Sequence, residues 1–172
     1  MDSISKIEQA WKTHSYLNQY IAFADAKAGV VITFASALVA YFAPKTGCSN
    51  SSEIVGSVLL VFTATAMAFA IMTVFPRLIT LKDTQHPFRS MMKKSVVRPG
   101  FIFWKEILAH GDVEQFVNSF TSRTDEDVLQ DVLAHNFVLS SIANTKYDRL
   151  AISMLCLCIA IVLAGLHFLV SG

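Results

Sequence analysis

Residues 54–76 read IVGSVLLVFTATAMAFAIMTVFP, 23 positions without one Asp, Glu, Lys or Arg. A helix rising about 1.5 Å per residue needs about 20 residues to cross a hydrocarbon core roughly 30 Å thick, so this run is long enough to span a bilayer. Inside lipid no water can bond the backbone N–H and C=O groups, and a helix satisfies them within one segment. Two further apolar runs, 28–43 and 150–170, lie on either side of it in the chain. The fold expected is therefore an all-α integral membrane protein, with three transmembrane helices continuous with a cytosolic helical bundle.

The basic residues set the expected orientation. Of 14 Lys and Arg in 172 residues, Lys45 alone falls in loop 44–53 and none follows position 149. Basic residues near span ends stay in the cytoplasm, which puts the N-terminus and 77–149 inside, with loop 44–53 and the C-terminus outside. A cleaved secretory signal is the rival reading of run one. The 27 residues before it are long and patterned, and Ala40-Tyr41-Phe42-Ala43 lacks a small-x-small cleavage site. A net charge of +1 argues against nucleic acid as a partner, because neutralising many phosphates requires a basic excess.

Four segments follow: an N-terminal cytosolic helix (1–27), a transmembrane hairpin (28–76), a cytosolic helical sensor region (77–149) and a third span (150–172). Ile4, Ile7, Trp11, Leu17 and Ile21 give the first helix an apolar edge. Gly111 and Asp112 open a short helix carrying Val113, Phe116, Val117 and Phe120 on one face. Thr124 and Asp127 then form a capping box, and the helix they open meets no stop signal before about Val170. Its cytosolic apolar face is expected at Leu129, Val132, Leu133, Phe137 and Ile142.

No catalytic motif, cofactor loop or metal-ligand spacing is present, and the five histidines are scattered, so neither catalytic nor metal residues nor a cofactor are assigned. Cys156 and Cys158 point to different sides of one helix and read as packing residues, while Cys48 stands alone on the outer side.

The spans carry stripes of small or polar residues: Ala22, Asp25, Gly29, Thr33, Ser36 and Ala40; Gly56, Thr63, Ala66, Ala70 and Thr73; Ser153, Cys156, Ala160, Ala164 and His167. Small faces let helix backbones approach closely, so packing within one subunit is the first reading and a wet path lined by several copies the second. Asp25 and Lys27 flank the start of the first span, and Lys146 and Arg149 enter the third at the same depth. A carboxylate there needs a partner, so Asp25 is expected to pair with Lys146 or Arg149. Such a pair is an interfacial staple, and joining two helices at that depth it can also gate.

Arg77, Lys82, Arg89, Lys93, Lys94 and Arg98 form a basic stretch followed by Phe101, Phe103 and Trp104. These cations can attract anionic headgroups, or hold a phosphate while an aromatic such as Trp104 stacks on a base.

Several local sequences converge on one family. Phe23-Ala24-Asp25-Ala26-Lys27-Ala28-Gly29 entering a span, Phe75-Pro76-Arg77 closing a hairpin, the cluster Phe101 to Trp104, and Asn144-Thr145-Lys146-Tyr147 entering the last span together resemble the Pycsar effectors of bacterial antiphage defence, of the transmembrane PycTM type. The resemblance implies a cyclic pyrimidine mononucleotide (cCMP or cUMP) from a partner cyclase as the signal. It also implies impairment of the inner membrane and abortive infection as the outcome, and close packing of the spans suits a homo-oligomer in the bilayer. The alternative is a non-enzymatic membrane scaffold or small channel subunit that recruits a partner through its cytosolic helices.

Overall fold

The computed structural model describes residues 3–43, 50–75, 102 and 107–171. Four helices account for nearly all of them: α1 (Ser3–Phe42), α2 (Asn50–Val74), α3 (Val113–Thr121) and α4 (Asp125–Ser171). Stretches of α1, α2 and α4 are long and apolar enough to cross a membrane. The chain is a membrane protein. It divides into two compact units, Met1–Gln19 with Arg77–Ser141, and Tyr20–Pro76 with Ile142–Gly172. The second, which holds the apolar stretches, is called the membrane unit below.

The helix starts follow local chemistry. Gly111 takes a φ of 85°, in the left-handed region that glycine enters without a Cβ clash. Asp112 then caps α3, its Oδ1 accepting the Gln115 N–H at 2.8 Å. At α4 the box is reciprocal: Thr124 N–H donates to Asp127 Oδ2 at 3.1 Å and Asp127 N–H donates to Thr124 Oγ1 at 3.3 Å. Asp125, Glu126 and Asp127 fill the first turn, where negative charge faces the positive end of the helix dipole.

In the membrane unit, buried positions recur at alternating steps of three and four. α1 buries Ala24, Ala28, Val31, Ala35 and Phe42; α2 buries Leu59, Thr63, Ala66, Ala70 and Thr73; α4 buries Ala143, Lys146, Leu150, Ser153, Leu157, Ala160, Ala164 and His167. A seam that repeats every 3.5 residues keeps facing its neighbours only if helices wind gently left-handed. Most seam residues are small, which permits close approach in a medium that gives no hydrophobic drive between helices. Phe42, Leu59 and Ala164 cluster at one end, with Ala66, Ala70, Leu150 and Leu157 nearer the other. That pairing of low with high numbers makes α2 antiparallel to both α1 and α4.

The other unit packs by a more polar face than its apolar residues suggest. Ile4, Trp11, Leu133 and Phe137 are exposed, whereas Ala10, Val132, His135 and Asn136 are buried. Asn136 Nδ2 donates to the Ala10 carbonyl at 2.9 Å, which leaves Asn136 Oδ1 to accept from His14 Nδ1 at 3.1 Å. A scan for apolar spacing passes over this face because its central members are an amide and an imidazole that satisfy each other.

Ala28 is 0% exposed, and Ala28→Leu is expected to overpack the membrane unit and lower its unfolding free energy by about 1–3 kcal/mol. A Cβ added at Gly29 meets nothing within 4 Å, so Gly29→Ala should leave stability unchanged or slightly raised. Melting of the two variants in detergent checks this. A tolerant Ala28 would show that α1 packs by another face.

Candidate functional site: a polar collar in the membrane unit

Four bonds between spans start from one short stretch of α4. Lys146 Nζ donates to Asp25 Oδ1 on α1, forming an ion pair in which the lysine side chain is 11% exposed and the aspartate 36%. Tyr147 Oη donates to the Tyr20 carbonyl at 3.4 Å. Arg149 Nη1 donates to the Met72 carbonyl on α2 at 2.7 Å, and Ser153 Oγ to the Ala66 carbonyl at 2.7 Å. Together they make a collar that ties α4 to both other spans.

Each bond has a local reason. Lys146 occupies a core position of the α4 seam, so its ammonium is taken from water and needs a carboxylate. Asp25 is too short to reach the headgroups itself. The Met72 carbonyl lies in the last turn of α2, where an intrahelical bond requires the N–H of residue 76. That residue is Pro76, which has none. Arg149 supplies the missing donor and places positive charge at a helix C-terminus, where the dipole favours it. Ser153 uses the second lone pair of a carbonyl already engaged within its helix.

Lys27 lies 5.8 Å from the centroid of the Tyr147 ring, a cation–π distance, and takes no part in the Asp25 pair. The stripes separate into two kinds. Thr63, Thr73 and Ser153 are buried, the two threonines donating to Leu59 O at 2.8 Å and Phe69 O at 2.9 Å. Gly29, Thr33 and Ser36 are exposed. For the first span, packing within the subunit is therefore met by a different stripe, Ala24, Ala28, Val31 and Ala35, on the opposite side of the helix. Arg77, Arg89, Lys93, Lys94, Arg98, Trp104 and Cys48 lie outside the described residues.

Comparison with known proteins adds the family. The sequence model of the Pycsar effector protein domain, PycTM, matches residues 9–171. The chain belongs to the Pycsar effector family. The Pycsar effector protein SaPycTM of Staphylococcus aureus is 29% identical to it over 149 residues, covering 83% of this chain and 82% of that protein. No solved structure matches the chain. The matched stretch contains every residue of the collar. This is an antiviral defence family of transmembrane effectors.

The Arg149–Met72 contact went unread in the sequence, although a signal for it was present. A proline two residues beyond a span end leaves the carbonyl four residues earlier without a helical donor. Arg149→Leu is expected to cost about 1–3 kcal/mol through that unsatisfied carbonyl. In a Pro76→Ala background, where an N–H is restored, the same change should cost measurably less. A double-mutant cycle on thermal melting reads the difference, and equal costs in both backgrounds would dismiss the explanation.

Proposed function

We propose that this chain is a non-enzymatic effector of antiphage defence, which responds to a cyclic pyrimidine mononucleotide made by a partner cyclase and impairs the bacterial inner membrane. The observation that carries this reading is the family match across residues 9–171. The basic residues support a cytoplasmic N-terminus and an outer C-terminus, with 77–149 inside. The cations Arg77, Arg89, Lys93, Lys94 and Arg98, with Trp104, are the proposed place for the nucleotide, its phosphate held by charge and its base by stacking.

The effector acts as a homo-oligomer in this reading. Ala22, Ala26, Gly29, Thr33, Ser36 and Ala40 follow one another at steps of four and three along α1, and all are exposed. They lie opposite the seam that packs inside the chain. Lipid contact gives no reason for a row of small residues, whereas helix-to-helix contact between copies does.

Cells expressing the chain with a pyrimidine cyclase should admit a membrane-impermeant dye, and cells expressing it alone should exclude it. A scaffold would leave the membrane intact in both. Detergent-purified protein should bind cCMP or cUMP and show a mass of more than one chain. Gly29→Leu with Ser36→Leu should lower both the oligomer mass and dye entry, the latter by about tenfold, as loss of roughly 1.4 kcal/mol of association would. Dye entry unchanged in a strictly monomeric variant would contradict the oligomeric step.

A further inference from the structure

We propose that the collar is a resting lock: the bonds from Lys146, Arg149 and Ser153 hold the three spans in a quiet arrangement, and displacement of α4 releases them together. The inference rests on the reading of these spans as the part that impairs the membrane. Its basis is how the bonds are placed. All three donors sit within eight residues of one helix, on one face, and their acceptors are Asp25 on α1 and the Met72 and Ala66 carbonyls on α2. Farther along, α4 contributes Cys156, Leu157 and Ala164 to apolar clusters that carry little directional preference.

The choice of residue at 146 points the same way. Lys146 is 8% exposed at a position flanked along the seam by Ala143 and Leu150. An apolar side chain there would pack at least as stably, since the cost of drying two charges offsets most of their attraction. What an ion pair adds is selectivity for one register: a partner misplaced by a turn leaves a bare charge among apolar groups. Directional bonds of this kind make two packings discrete instead of continuous, which a switch requires.

The geometry also makes release concerted. Lys146, Arg149 and Ser153 are spaced by three and four, so a rotation of α4 by one residue, about 100°, carries all three donors off their acceptors. Within the membrane unit, from Ile142 to Ala164, this helix has neither Gly nor Pro, so the stretch that carries the three donors moves as one stiff piece. A ligand that favours the released arrangement shifts the balance by its differential affinity for the two.

The test uses the full chain expressed without any cyclase, with dye entry as the readout and the amount of protein in the membrane measured alongside. Asp25→Asn, Lys146→Met and Arg149→Gln should each raise dye entry by about tenfold or more over wild type, and the charge swap Asp25→Lys with Lys146→Asp should return it toward the wild-type level. Ser153→Ala removes a single hydroxyl and should give a smaller rise in a protein that still folds. A collar that served only as a staple would give variants that accumulate less and stay quiet. Quiet single variants at normal membrane levels, or leakage that the swap does not reverse, would overturn the lock. Wild type co-expressed with the cyclase separates the two claims. If it leaks while the single variants are quiet, the lock fails and the effector reading stands; if the variants leak and wild type never responds to the cyclase, the reverse holds.

Discussion

A hydrocarbon interior offers no partner to a backbone amide or carbonyl, and the membrane unit is arranged around that constraint. Three helices satisfy nearly all their own groups. Where one cannot, at Met72 four residues before a proline, Arg149 from another helix provides the donor. Thr63 and Thr73 turn their hydroxyls back to carbonyls of their own helix, and Ser153 reaches across to Ala66. Among these side chains Arg149 supplies a donor the backbone lacks, while the hydroxyls place their own protons on carbonyls already engaged, and Arg149 and Ser153 tie helices together in doing so.

Packing follows from the same medium. Lipid tails are as apolar as leucine, so helices associate through close fit and directional bonds. Ala24, Ala28 and Ala35 on α1 and Ala66 and Ala70 on α2 provide the fit, all of them fully buried. Lys146 and Asp25 provide direction. A core made only of alanine and leucine would hold equally well in several registers; a cation at a core position tolerates one. Stability and specificity are supplied here by different residues, which is why loss of the ion pair and loss of an alanine contact should differ in kind.

Much of this was legible in the sequence. Run lengths indicated three long apolar helices, and Thr124 with Asp127 marked the start of α4. Depth alone suggested that Asp25 would meet Lys146 or Arg149. The choice between them depended on Pro76, whose missing N–H claims Arg149. On α1 the contact within the chain falls on Ala24, Ala28, Val31 and Ala35 and not on Gly29, Thr33 and Ser36, because the helix carries two faces of small residues. Composition cannot separate two faces of equal smallness. In the other unit, Asn136 and His14 sat where apolar residues were sought, and Leu133 and Phe137 were assigned the core in their place.

The account stands on three crossings of one membrane, which leave the two ends of the chain on opposite sides. Cysteines placed singly at Ser5 and at Ser171, in a chain whose Cys48, Cys156 and Cys158 are replaced by serine, would be challenged in intact cells with a membrane-impermeant maleimide. Labelling at 171 without permeabilisation, and at 5 only after it, is the result expected. Both positions reacting from the same side would contradict the three-span arrangement and everything built on it.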